Sequence, residues 1–230
     1  MVADRTAAAT KTDRAYWALR RAIVSGEIRE EALLDDADLV IRLGTGRTPV
    51  REAIKRLAAE ELVVWPPHRT PFVRSTSAAD IGHLYEARHL LEVPAARLAA
   101  QRATSADVAV LSERCDLFDA AVAADDFYEA AEIDFDFHLA LAIAAGNRFV
   151  IDAVRHLNRG SLRIWYLSYV HLGTDGVNAD HRRMLRAVVD RDPDTAADAS
   201  REHIQTSHER QLRLHGLDTP FELPTRASAR

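Results

Sequence analysis

Cysteine is nearly missing from this 230-residue chain. Cys115 stands alone, which excludes an internal disulfide framework and suits a reducing compartment. Long apolar stretches are missing as well. The longest uninterrupted run, Leu139–Ala145, is far too short to span a bilayer, and residues 1–12 hold no apolar segment of the kind a secretory signal needs. The expectation is a soluble, cytoplasmic protein. There is no internal repeat or low-complexity tract, although alanine recurs throughout. The length suits two small domains or one large one.

Positive charge is also scarce overall, since the formal net charge is −5. Its distribution is uneven. Residues 1–74 carry 13 basic and 11 acidic side chains, whereas 75–230 carry 17 and 24. Between Arg42 and Arg56, five cations (Arg42, Arg47, Arg51, Lys55, Arg56) are opposed only by Glu52. Such a local excess can neutralise phosphates even in an acidic chain. The competing reading is a solvated helix face.

Strand-forming sequence is confined to one place. Leu62–Trp65 and Phe72–Arg74 flank Pro66-Pro67-His68-Arg69-Thr70-Pro71, which reads as a hairpin with a stiff polar tip. Everything else reads helical. The first helix runs from about Thr12 to Ser25, with Tyr16, Leu19 and Ile23 on one stripe and Gly26 at its end. Asp35 announces a second helix as its N-cap, with Asp38 three residues on, and Gly44 stops it. A third begins at Arg47-Thr48-Pro49, with Pro tolerated in the first turn. Val50, Ile54 and Leu57 recur at i, i+4, i+7 and pack inward, leaving Arg47, Thr48, Arg51, Lys55 and Arg56 largely outward.

Helix, helix, tight turn, basic helix and hairpin is the order of parts in a winged helix-turn-helix. Arg can take guanine edges bidentately in a major groove, and Thr reaches bases or phosphates. The DNA-contacting candidates are therefore Arg42, Arg47, Thr48, Arg51, Lys55 and Arg56, with His68 and Arg69 from the hairpin tip. The alternative is a small helical domain with an incidental hairpin.

From Ser77 onward six amphipathic helices are expected, at about 78–102, 105–123, 126–145, 147–171, 177–191 and 193–213. Ser77, Ser105 and Asp125 are the plausible caps, and breaks fall at Gly146-Asn147, 173–176 and Asp192-Pro193. The fold class is mainly α: an N-terminal winged helix-turn-helix plus a C-terminal all-helical bundle of about six helices. The divisions are a flexible start at 1–12, a DNA-binding domain at 13–75, an effector domain at 77–213, and a loose tail at 214–230.

Within the bundle, Asp134 and His138 are i, i+4 and project from one helix face. His181 opens the fifth bundle helix and His203 lies mid-way along the sixth. Together they would supply one carboxylate and three imidazoles, a set suited to Zn, Mn, Ni or Fe(II) with positions left for water or a small ligand. The competing reading is a surface Asp/His pair and two isolated histidines.

Residues 47–57 (Arg47-Thr48-Pro49-Val50-Arg51-Glu52-Ala53-Ile54-Lys55-Arg56-Leu57), followed by Glu61-Leu62-Val63, resemble the DNA-binding domain of GntR-type regulators. The second half resembles the FCD ligand-binding domain of the FadR-like branch. That likeness rests on Leu84-Tyr85-Glu86-Ala87-Arg88 with Leu91-Glu92, on 134–138, on Gly146-Asn147, on 181–185 and on 201–204. Six helices rather than seven point to the VanR-like subgroup.

The resemblance implies a homodimeric transcription regulator, most often a repressor, on an inverted-repeat DNA operator. It implies a divalent metal, zinc foremost, on Asp134, His138, His181 and His203. It also implies a small carboxylate effector, with Arg88 near its cavity. A salt bridge from Arg88 to Glu92 is the structural alternative for that arginine. A bundle metalloenzyme, or a regulator sensing the metal itself, is the rival reading. Three departures from the family pattern stand out: Glu30-Glu31 replaces Pro-Gly before the second helix, Gly46 replaces a Ser, and His68-Arg69-Thr70 replaces Asn-Arg-Gly. The first implies a differently built turn, and the last puts the usual wing geometry in question.

Overall fold

In the computed structural model, which describes residues 10–216, the chain divides into two compact units that meet in sequence between Ser75 and Thr76. In the first unit, α1 (Lys11–Val24) starts at a capping box: the Thr10 hydroxyl accepts from Asp13 N, and the Asp13 carboxylate accepts from Thr10 N. Thr10 is thus the cap and Lys11 and Thr12 are helical, while residues 1–9 of the expected flexible start lie outside the described residues. α2 (Asp36–Leu43) begins at Asp35, whose carboxylate accepts from Ala37 N and Asp38 N. It ends at Gly44, where φ is +59°. α3 (Arg47–Ala59) has no side-chain cap at Gly46. Val50, Ile54 and Leu57 are fully buried, together with Leu19 and Ile23 of α1.

The hairpin is short. β1 (Val63–Val64) pairs antiparallel with β2 (Phe72–Val73), Val63 opposite Val73 and Val64 opposite Phe72. The segment before α2 flanks β2 on its other side: Glu31 N donates to Val73 O, Val73 N to Ala32 O, and Leu34 N to Pro71 O. This edge pairing has no counterpart in the sequence reading. It explains how the Glu30-Glu31 turn works. Glu31 takes φ +63°, the left-handed conformation that a glycine adopts freely, so this turn is made at a local cost. At the wing tip His68 likewise takes φ +56°, so a side-chain-bearing residue again makes the turn.

Among the described residues the second unit holds six helices: α4 (Ala78–Arg102), α5 (Ser105–Ala123), α6 (Phe127–Ala144), α7 (Arg148–Leu172), α8 (Val177–Val189) and α9 (Pro193–Leu214). Leu214 ends α9, and most of the expected loose tail lies outside the described residues. Ser77 caps α4 through a box with Asp80. The other two caps correct the sequence reading by one residue each. Thr104, not Ser105, caps α5, because the partner acid Asp107 lies three residues from Thr104. Asp126, not Asp125, caps α6, and Asp125 sits at φ +54° in the turn before it.

α4 packs along α9 and α6, α6 lies between α5 and α7, and α8 packs against α9 and α5. Small residues fill the α4 seam: Ala96, Ala99, Ala100 and Ala103 are buried against Leu111, Phe137, Leu141, Met184 and Val188. Alanines at such contacts let helix axes approach closely. The consequence is a narrow interior in which polar groups from α4, α6, α8 and α9 meet. Among the described residues no helix is long and apolar enough to cross a membrane.

Candidate metal centre and nucleic-acid interface

Asp134 and His138, one turn apart on α6, point into that interior. His181, in the second turn of α8, and His203, mid-way along α9, point to the same place. All four residues are at most 5% exposed, and their ligand atoms lie within 4.8 Å of one another. His181 Nε2 is 2.9 Å from Asp134 Oδ1, His138 Nε2 is 3.7 Å from the same oxygen, and His138 Nε2 is 3.2 Å from His203 Nε2. Ligands on a tetrahedral ion with bonds near 2.0–2.1 Å stand about 3.3 Å apart, so these separations are of the right size.

The outer partners determine what the four atoms offer. His138 Nδ1 lies 2.8 Å from Glu92 Oε2, and His203 Nδ1 lies 3.4 Å from Asp180 Oδ2. With each Nδ1–H facing a carboxylate, both Nε2 atoms present lone pairs. Two lone pairs facing at 3.2 Å do not form a hydrogen bond. Asp134 Oδ1 and His181 Nε2 are also buried without a hydrogen bond of acceptable geometry, despite their closeness. Two imidazole lone pairs facing each other beside a buried carboxylate and a third imidazole form a donor set suited to a cation, and the residues fit a divalent metal on this ground.

The electrostatics agree. Burial pushes the Asp134 carboxyl up, but its neighbours His181, His138 and His203 outweigh this and hold it well below the usual range. Burial pushes His203 down to about 4 and holds His181 below its ordinary value, partly opposed by Asp134. The carboxylate is thus ionised and these two imidazoles neutral at pH 7, the protonation states a metal requires. The Tyr169 hydroxyl is raised far above its usual range by burial and by Asp134, to which it donates. The Phe137 ring stacks on His181 with centres 4.2 Å apart, fixing that imidazole's plane.

Arg88 realises the salt-bridge alternative. It is fully buried, with Nε 2.8 Å from Glu92 Oε1 and Nη2 3.3 Å from Oε2. Its guanidinium carbon lies 4.8 Å from the Trp165 ring centre and 5.2 Å from that of Tyr85. Nη2 also lies 3.2 Å from His138 Nε2. Burial pushes the Glu92 carboxyl up, but Arg88 and His138 more than reverse this. Glu92, Asp180, Tyr169 and Trp165 therefore belong to the centre, although sequence reading singled out none of them as ligand-orienting groups. A cavity of about 20 Å³ adjoins Asp134 and His203, bordered by Trp165, Tyr169 and Arg210. That is room for one water rather than an organic acid. Arg210 is itself tied to Ser168 Oγ and the Gly173 carbonyl.

In the first unit, Arg47, Thr48, Arg51 and Lys55 are exposed along α3, and His68 and Arg69 are exposed at the wing tip. Arg47 and Thr48 make no side-chain hydrogen bond or ion pair among the described residues. Arg51 pairs with Asp36 at 2.8 Å and lies 5.1 Å from the Trp65 ring centre, while Lys55 pairs with Glu52 at 2.6 Å. Arg42 pairs with Glu27. Arg56 turns toward α1, pairing with Asp13 at 2.7 Å with its guanidinium carbon 3.8 Å from the Tyr16 ring centre. Exposed pairs of this kind contribute at most about 1 kcal/mol, so a phosphate can displace them. Arg56 has more to lose, because its ring contact goes as well.

The sequence profile of the FCD domain matches residues 83–206, and that of bacterial regulatory proteins of the gntR family matches residues 11–73. The HTH-type transcriptional repressor RspR of Escherichia coli strain K12 is 28% identical over 206 residues, covering 88% of this chain and 90% of that protein. The Nta operon transcriptional regulator of Aminobacter aminovorans is 28% identical over 197 residues, covering 83% and 90%. Among solved structures, E. coli McbR/YncC shares the fold at a TM-score of 0.75 and 20% identity, covering 90% of this chain and 99% of that one.

Proposed function

As a member of the gntR family of bacterial regulatory proteins carrying an FCD domain, this chain is a DNA-binding transcription regulator, and we propose that a divalent metal in its helical unit docks the small carboxylate that controls it. The family and the relatives are regulators, not enzymes. The observation that carries the proposal is the buried convergence of Asp134, His138, His181 and His203, whose ligand atoms lie within 4.8 Å of one another. When bound, the metal supplies Lewis acidity and an open position for an acid's oxygen. Zinc is the first choice, with manganese, nickel or iron as alternatives.

The chain's own groups set the rest. Glu92 and Asp180 orient His138 and His203, and Tyr169 orients Asp134. Arg88 is the proposed effector-binding cation. Because the adjoining cavity holds about 20 Å³, an acid must displace side chains such as Arg210 to enter. That displacement is how ligand occupancy can reach the rest of the protein. It shifts DNA affinity only by the difference in the acid's affinity for the two arrangements.

At the DNA, two copies of the chain would sit on an inverted repeat. Arg47, Thr48 and Arg51 would supply base or phosphate contacts, Lys55 and Arg56 mainly phosphate contacts, and Arg69 the wing contact, with Arg42 and His68 as further DNA-contacting candidates. Release of DNA on acid binding, as in a repressor, is the proposed direction, and the six-helix effector unit favours the VanR-like subgroup.

A thermal-shift screen against small carboxylates, on metal-loaded and chelated protein, tests this reading. An acid at about a hundred times its dissociation constant adds roughly 2.7 kcal/mol if it binds only the fold. One acid that stabilises only the loaded protein supports the proposal. Stabilisation by metal alone, with no acid effective, replaces it with a structural or metal-sensing ion.

A further inference from the structure

Arg88 has two usable hydrogen-bonding edges, and the structure commits them differently. The Nε/Nη2 edge grips Glu92. At the other edge, the second hydrogen of Nη2 points to His138 Nε2 at 3.2 Å, and Nη1 is buried without a hydrogen-bond partner among the described residues. His138 keeps its proton on Nδ1, facing Glu92 Oε2 at 2.8 Å, so Nε2 holds one in-plane lone pair. That lone pair can accept from Arg88 or ligate a cation, but not both.

We infer that Arg88 and His138 form an exclusive latch that links metal loading to carboxylate capture. This rests on the metal-and-acid reading above. When His138 turns its lone pair to a cation, the Nη2 hydrogen is released beside the two on Nη1. The outer edge of Arg88 then presents two parallel N–H donors, the geometry that takes a carboxylate bidentately. Released donors in a fully buried guanidinium are costly to leave unmade. A carboxylate satisfies them, so acid binding favours metal binding, and reciprocally by the same factor. The coupling runs through the protein even when the acid's oxygens never touch the ion. Glu92 is the fixed pivot: it holds Arg88 in place by one edge and holds His138 in the tautomer that makes the choice exclusive.

The experiment measures Zn²⁺ affinity of the full chain by competition with a chromophoric chelator, in acetate and in chloride at equal ionic strength. Wild type is compared with Arg88→Met and Arg88→Lys, each checked for a cooperative melt. In wild type, acetate is expected to raise zinc affinity several-fold. In Arg88→Met, zinc affinity in chloride should rise, because the competitor for Nε2 is gone, and the acetate effect should vanish. Arg88→Lys keeps a positive charge but lacks the second donor edge, and should lose most of the acetate effect even where Arg88→Met folds poorly.

Acetate coupling of undiminished size in either variant overturns the latch, since the acid would then act on the metal directly. So does a folded Arg88→Met with weaker zinc binding, which would make Arg88 a structural anchor for Glu92. Zinc binding to wild type with no acetate effect refutes the latch alone. A wild type that binds no zinc, nickel, manganese or iron(II) refutes the metal reading beneath it.

Discussion

Replacing Glu31 by glycine should stabilise the N-terminal unit. Glu31 is held at φ +63° because its N–H must reach Val73 O at 2.9 Å while the next residue's carbonyl receives Val73 N. A residue with a Cβ carries about 1–2 kcal/mol of strain in that region. Glycine removes the strain but loses about 0.5–1 kcal/mol through the extra freedom of its unfolded chain. The net gain expected is about 0.5–1 kcal/mol. The Glu31 side chain is exposed, so little else changes. For a unit of this size each kcal/mol moves the midpoint by about 4–8 °C, so a rise of roughly 2–8 °C is expected. Urea unfolding followed by tryptophan fluorescence reads it as a higher midpoint at unchanged slope. Glu31→Ala is the control, because alanine retains the left-handed strain and should stay near wild type. Equal stability of the glycine and alanine variants would refute the strain argument.

Three further outcomes are expected. Arg51→Ala should weaken operator binding and reduce the salt slope by about 0.9 if Arg51 meets a phosphate, as read by binding titrations at several salt concentrations; an unchanged slope would move the contact elsewhere. Burial pushes the Cys115 thiol up to about 11, from 9.0, so its thiolate fraction at pH 8 falls about a hundredfold and labelling of the folded protein should be slower by at least that factor than of the denatured chain. In metal-free protein, burial holds His203 at about 4 and His181 below its usual value, whereas unfolded imidazoles titrate near 6.5. The unfolded chain therefore takes up more protons between these values: stability is fully present above pH 6.5 and declines as pH falls toward 4. A melting temperature of chelated protein that stays flat across that window would contradict the assigned burial.

What the sequence made legible was local. The six helices of the second unit lie within about two residues of the expected bounds, because apolar periodicity and breaks such as Gly146-Asn147 are properties of neighbouring residues. The Thr104 cap is legible too, through Asp107 three residues on, whereas Ser105 is followed three residues on by Val108 and has no acid to complete a box. The Asp125-Asp126 pair offers two caps, and only backbone geometry decides between them. Asp134 and His138 share a face by helical arithmetic, but no spacing rule brings in His181 and His203. They stand as candidates by their places on the fifth and sixth bundle helices, and the family resemblance implies the four as one set. Glu92 shows where local reading stops: its i, i+4 relation to Arg88 is visible in sequence, whereas its reach to His138 exists only because α4 packs on α6. The edge pairing of 31–34 with β2 leaves no periodic trace either, since it rests on backbone groups alone.

Asp134, His138, His181 and His203 come from three helices far apart in sequence, so their meeting point exists only while the bundle is folded. An ion bound there is a clasp on the native chain. At about a hundredfold excess over its dissociation constant it would lower the unfolded fraction about a hundredfold. Cellular proteases feed on that fraction. The number of regulator molecules in a cell would then follow the supply of the metal, and starvation for the ion would thin the regulator by turnover before any operator was vacated by a ligand.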